Sequence, residues 1–256
     1  MGSLHFRHGI IPIYQKVLRQ ESQDWWLELL ATTATPLTFF LTFGLGLKGH
    51  ISNVEGVPYI VFMAPGLISF TILMEAYRTG AWGVWLDRWH QKMIDEYRIK
   101  PITTFDIIIG EILGGFTVAL IKGAVVLLII MLLAPVTLNL GYLLTYLAYL
   151  FPGSIIFACF GTVVGTLFKK PDNIAQSQTL IITPLLYLGG MFFPKSVFPE
   201  WIQPVITWLP TTALFEGGRQ AFLTGAMDLR YWVMLMVLSV LSFILATVVF
   251  NRQLSE

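Results

Sequence analysis

Six apolar runs constrain this chain more than any other feature. They cover approximately Leu27–Leu47, Val57–Trp82, Thr104–Leu133, Leu140–Phe168, Ile174–Phe193 and Leu229–Phe250. Each is long enough to cross about 30 Å of hydrocarbon, which takes about 20 helical residues. In lipid every backbone polar group must be paired within the protein, which leaves helices or closed barrels. Continuous apolar runs, without period-two alternation, select helices. The expected fold class is therefore all-α: a polytopic membrane protein with six transmembrane helices. Composition agrees, because the chain is 55% hydrophobic and 12% charged, with a mean hydropathy of +0.72. A soluble domain carries about 25% charge. The second and third runs exceed the minimum, so they tilt or extend beyond the bilayer.

The segment before the first run is mixed. Ile10, Ile13, Val17 and Leu18 lie on one side of a helix, with Lys16, Arg19, Gln20 and Gln23 on the other, and Trp25-Trp26 follow. This pattern predicts an interfacial helix along the bilayer, with tryptophans at headgroup level. Residues 1–26 form this N-terminal unit and 27–256 the transmembrane domain. The first 25 residues contain charges and no apolar core, so no cleavable signal peptide is expected.

Orientation follows from Lys and Arg. With the N-terminus inside, ten of these residues fall on inner segments and four on outer ones. Both termini and the loop 82–103 are then cytoplasmic. Within that loop Leu86, Trp89, Met93 and Tyr97 form one stripe of a short helix. Asp87, Arg88, Gln91, Lys92, Asp95 and Glu96 fill its other faces, and Pro101 ends it. Mixed charge of this kind suits a protein pocket better than anionic headgroups, which favour Lys and Arg. The outer segment 194–228 is too apolar for a solvated loop and is broken by Pro199, Pro204, Pro210 and Gly217-Gly218. It predicts short helices dipping into the outer leaflet.

Intramembrane charges are costly in lipid, and they mark protein or water interiors. Glu75 and Arg78 share a face of the second run and are placed to pair. Glu111 and Lys122 are eleven residues apart in the third, about 16 Å along a helix axis. Each needs a partner elsewhere. These four charges are candidates for translocation or transmission, or form structural ion pairs. Thr35 and Thr38 are candidates to line a passage, although such threonines commonly bond their own helix backbone. Gly110-x-x-x-Gly114 and Gly161-x-x-x-Gly165 permit close helix approach.

Enzyme signatures are missing. The four histidines lie outside the apolar runs without metal-ligand spacing, so no metal site is expected. No Gly-x-x-x-x-Gly-Lys-Ser/Thr is present, so the chain does not hydrolyse ATP alone. No basic run exists to bind nucleic acid. The one cysteine, Cys159, sits in an apolar run and reads as a small hydrophobe.

Several motifs resemble one family. These are Pro65-Gly66-Leu67 early in the second run, a charged loop from Glu96 to Pro101, the stretch Thr183-Pro184-Leu185-Leu186-Tyr187-Leu188-Gly189-Gly190-Met191-Phe192-Phe193-Pro194, a Trp-rich outer segment, and Pro210 nine residues before Arg219. The chain resembles the permease subunits of ABC-2 type exporters, the relatives of nodulation-factor, polysaccharide and daunorubicin-type exporters. Leu209 and Ala213 depart from the family pattern and remove any reading of substrate from that motif.

The resemblance implies export of a lipid-linked, polysaccharide, glycolipid or hydrophobic small-molecule substrate across the cytoplasmic (inner) membrane. It implies two copies of a separate ATPase, which bind the ATP and magnesium, and a second permease copy. This chain itself is expected to hold no cofactor. Trp89, Met93, Glu96, Tyr97, Arg98 and Lys100 would couple to the ATPase, and 10–24 would be a connecting helix. Pro184, Tyr187, Phe192, Phe193 and Arg219 would form an outer gate. The alternatives are a membrane-embedded enzyme acting on lipid and a passive channel.

Overall fold

A computed structural model describes residues 6–46, 53–91, 93, 102–136 and 138–255. Helix α1 spans Phe6–Glu21 and α2 spans Trp25–Phe39, prolonged by a π-helical turn at Phe40–Leu45. A two-residue hairpin follows, β1 (Asn53–Val54) against β2 (Val57–Pro58), with Asn53 opposite Pro58. Its turn residues Glu55 and Gly56 have φ of 51° and 82°. Positive φ at both is what a tight hairpin turn of matching twist requires. Helix α3 (Tyr59–Trp85) continues through a π-helical turn at Leu86–His90. Then come α4 (Thr104–Leu133), α5 (Leu140–Leu167), α6 (Pro171–Ser177) and α7 (Thr183–Leu188). Two short helices, α8 (Gln203–Thr207) and α9 (Pro210–Thr224), precede the long α10 (Leu229–Ser255).

Five of these stretches are long and apolar enough to cross a membrane: Trp25–Leu45, Tyr59–His90, Thr104–Leu133, Leu140–Leu167 and Leu229–Gln253. The sixth expected span, Ile174–Phe193, differs from its expectation. It is divided into α6, a π-helical turn at Gln178–Ile182, and α7, and it ends at Gly189. Pro184 has no N–H and its ring crowds the carbonyl four residues back. The widened turn absorbs this, and the Thr183 hydroxyl donates to Gln178 O at 3.1 Å. The start of α6, Pro171-Asp172-Asn173, is polar.

Helix α3 is the most enclosed span, whereas α2 and α10 are the most exposed. Glycines let α5 lie directly on α3. A Cβ at Gly161 would sit 2.3 Å from Tyr77 O, one at Gly165 2.3 Å from Ala81 O, and one at Gly80 2.4 Å from Ala158 O. Backbone therefore meets backbone along this seam. Hydrogen bonds lock it. The Tyr146 hydroxyl donates to Pro65 O at 2.7 Å and lies 2.7 Å from the Ser69 hydroxyl. Capping sets where spans begin. At α4, Thr103 and Asp106 bond each other's backbone N–H groups. At α5, Asn139 Oδ1 accepts from Gly141 N at 2.9 Å.

The end of the bundle that carries the hairpin, α7 and α9 is called distal below. The proximal end is the one where α3 runs into Leu86–His90 and α4 begins.

Candidate functional site

Helix α1 is not simply an interfacial helix with its apolar face on lipid. Ile13 and Val17 are 2% exposed and lie against α4. A Cβ at Gly110 would meet Ile13 at 2.7 Å, and one at Gly114 would meet Val17 at 2.7 Å. The Gly110-x-x-x-Gly114 motif thus receives the amphipathic helix rather than another span. Lys16 and Glu21 of α1 then reach into two clusters of buried charge.

The proximal cluster joins three elements. Lys16 Nζ donates to Asp87, just past α3, and to Glu111 of α4 at 2.6 Å. Asp87 was expected on the polar side of a separate helix. It is buried instead, because α3 continues unbroken to His90. One oxygen each of Asp87 and Glu111 is buried without a hydrogen-bond partner among the described residues. The lysine is therefore the group that makes the position of both carboxylates tolerable.

The second cluster lies further along α4. Lys122 Nζ donates to Glu75 at 2.7 Å, Glu28 at 2.8 Å and Glu21 at 3.3 Å. Arg78 binds the same three carboxylates, Glu21, Glu28 at 3.0 Å and Glu75. The Arg78 Nε to Glu75 bond is 2.9 Å. Burial raises the Glu21 carboxyl above the ordinary range, and Arg78 opposes that shift. Glu21, Glu28 and Glu75 oxygens converge within 4.8 Å of one another, the spacing of a metal site. Here Lys122 and Arg78 occupy the position a cation would take. The structure thus brings together Glu75, Arg78 and Lys122, and places Glu111 in a separate cluster. Lys16, Glu21, Glu28 and Asp87 were not singled out from sequence. Glu28, a carboxylate at the second position of the first apolar run, was the readable signal.

Distally, α7 and the residues after it build an aromatic cluster. Phe192 lies 5.1 Å from Phe39, 4.9 Å from Phe43 and 5.8 Å from Tyr187 between ring centroids. Phe193 stacks on Tyr59 at 6.2 Å. Arg219 is buried behind them. Its Nε donates to Phe62 O at 3.1 Å, and one terminal nitrogen donates to Gly190 O at 2.6 Å and Met191 O at 3.3 Å. Carbonyls are the partners, and Glu216 is engaged elsewhere by Lys195 at 2.9 Å and Tyr231 at 2.7 Å. Pro184 is exposed on α7 and does not join this cluster. Of segment 194–228, α9 is mostly buried, while Trp201 and Trp208 are exposed.

At the proximal end Trp89 is half-buried, with the Arg88 guanidinium 4.7 Å and the Lys169 ammonium 5.1 Å from its ring centroid. Met93 packs on the core. Glu96, Tyr97, Arg98 and Lys100 lie outside the described residues. Thr35 and Thr38 are exposed on α2, and the Thr38 hydroxyl bonds its own helix at Ala34 O, 2.8 Å.

The profile described as "ABC-2 type transporter" matches residues 11–223. The chain belongs to that family. It is 27% identical over 211 residues to the inner membrane transport permease YadH of Escherichia coli K12, covering 82% of this chain and 81% of the relative. It is 26% identical over 235 residues to nodulation protein J of Sinorhizobium fredii, covering 88% and 86%. Nodulation protein J of Rhizobium leguminosarum bv. viciae is 29% identical over 188 residues, covering 71% and 70%. This protein is thus an ABC-2 type membrane permease, with apolar helices suited to a multi-pass arrangement.

Proposed function

We propose that this chain is the permease subunit of an ATP-driven exporter in the cytoplasmic membrane. Its proximal end and both termini face the cytoplasm, as the Lys and Arg distribution favours. A separate ATPase, in two copies, binds ATP and magnesium, and two permease copies form the passage. The substrate is lipid-linked, a polysaccharide or glycolipid, or a hydrophobic small molecule.

The observation that carries this reading is the Lys16 junction. The loop between α3 and α4 is the part an ATPase would grip, with Trp89, Met93, Glu96, Tyr97, Arg98 and Lys100 as the contact set. Lys16 ties α1 to both helices leading away from it, at Asp87 and Glu111. A push on the loop therefore moves α1, α3 and α4 as one body. Helix α3 is continuous from Tyr59 to His90, so it carries that displacement to Phe62, where Arg219 and the aromatic cluster close the distal end. Tyr187, Phe192, Phe193 and Arg219 form the gate in this scheme. The exposed faces of α2, with Thr35 and Thr38, are left for the second copy.

A Met93→Asp, Tyr97→Asp double variant tests the coupling. It should insert normally, lose the ATPase on purification and abolish export. If it keeps the ATPase and its ATP turnover still drives export, the coupling assignment is wrong.

A further inference from the structure

The distal end holds a cavity of about 370 Å³, enclosed by the hairpin, the turn at Lys195–Val197, α9 and the start of α10. We propose that this cavity binds a phosphate-type oxyanion, with Arg219 as its anchor. The reading does not rest on export or on the coupling loop, although it shares Arg219 with the proposed gate.

Arg219 supplies the reason. It lines the cavity and is 4% exposed. No carboxylate lies within ion-pair distance of it among the described residues. Its Nε and one terminal nitrogen are spent on the carbonyls of Phe62, Gly190 and Met191, and its guanidinium carbon stands 3.7 Å from the Phe62 ring centroid. Carbonyls and a ring face offer partial negative charge only. Glu55 and Glu216 border the same cavity but act on it only across a distance, and a buried guanidinium with no counter-charge in contact is disfavoured. The remaining terminal nitrogen makes no hydrogen bond among the described residues, so it is the donor left for whatever fills the cavity. Arginine is the side chain best suited to phosphate oxygens.

The other wall residues fit. Glu216 does not compensate Arg219 by contact, because Oε2 accepts from Lys195 and Tyr231, and Oε1 is 3.3 Å from Lys195 N. That triad is internally neutral. Gln220 and Ser196 also line the cavity, and their side chains make no hydrogen bond among the described residues. Both are exposed and offer neutral donors. Glu55, exposed on the hairpin turn, lines the same cavity. Its negative charge disfavours a dianion and leaves a phosphodiester monoanion as the better guest. A phospholipid headgroup and the monoanion of free phosphate both offer this single charge.

The test uses the purified full chain. Native mass spectrometry would compare retention of phosphatidylglycerol, a phosphodiester, with diacylglycerol, which lacks phosphate. Inorganic phosphate would be titrated as competitor. Wild type should retain one phosphatidylglycerol more than the number of diacylglycerols it holds. Arg219→Gln should lower that affinity at least tenfold. Because this variant also removes backbone bonds, Ser196→Trp serves beside it. It fills the cavity from its exposed rim and should cause a similar loss with unchanged circular dichroism and elution. Glu55→Gln should tighten binding several-fold, which a purely structural Arg219 would not produce. Displacement by millimolar phosphate assigns free phosphate as the ligand, and resistance to it assigns the headgroup. Both support the site. The proposal is overturned if phosphatidylglycerol and phosphate both fail to bind, or if binding is indifferent to Ser196→Trp and Glu55→Gln.

Discussion

Lys122→Met is the substitution that probes the fold most directly. The lysine serves Glu75, Glu28 and Glu21 from one ammonium group, and Arg78 is the only other cation on these carboxylates among the described residues. In the variant, three carboxylates face one cation in a largely buried setting. Removing one partner of a buried ion pair destabilises by about 3–5 kcal/mol. For a chain of this size, 1 kcal/mol moves the unfolding midpoint by about 2–4 °C. A fall of roughly 10 °C is therefore expected in a fluorescence-detected thermal melt in detergent. Adding Glu75→Gln removes a carboxylate along with its cation and should recover most of the loss. A Lys122→Met protein that melts within two or so degrees of wild type would refute the argument, because the cluster would then be solvated or already protonated.

Three further outcomes follow from packing. Gly161→Val should disrupt the fold more than Gly110→Val, because its Cβ strikes backbone at Tyr77 O (2.3 Å), whereas a Cβ at Gly110 meets Ile13 side-chain atoms at 2.7 Å and backbone only at Ile10 O, 3.1 Å away; yields of monodisperse protein would rank them. Cys159 is fully buried, so Cys159→Ala should cost about 1 kcal/mol or less, and native protein should resist maleimide labelling until unfolded. Thr38→Val removes only a bond to its own helix and, valine being close in size, should leave export within about twofold of wild type, since surface changes of this kind stay within ±0.5 kcal/mol; a large loss with the two permease copies still associated would assign Thr38 to the passage.

The spans were legible because lipid imposes one rule on the whole backbone, and long apolar runs satisfy it only as helices. Pro184 and Gly189-Gly190 were visible too, yet the segmentation of α6 and α7 depends on how the chain accommodates them. The charge clusters were half legible. Glu75 and Arg78 sit three residues apart and announce each other, but Lys122 and Glu21 are separated by about a hundred residues. No local pattern links residues so far apart. Helix α1 read as an interfacial helix because its Lys16 and Glu21 are ordinary surface residues until Gly110 and Gly114 let the helix settle against α4. Asp87 was assigned to the polar side of a separate helix, because the excess length of the second run does not reveal that Lys16 of α1 covers its continuation. Arg219 was recognisable by its place nine residues after Pro210, whereas its choice of Gly190 and Met191 carbonyls depends on the turn after α7.

The distance along the chain between Glu21 and Lys122 has a consequence for biosynthesis. Translation proceeds at about 5–20 residues per second. Lys122 is therefore made roughly 5–20 s after Glu21, and α1 has no finished docking site during that interval. Glu75 and Arg78 can pair as soon as α3 forms, since they lie on one helix. Glu28 and Glu21 have only Arg78 until α4 arrives. The amphipathic helix must wait at the membrane surface while α3 and α4 are inserted. It then closes over Gly110 and Gly114 as a late step, which sets the order of assembly for the proximal half of the protein.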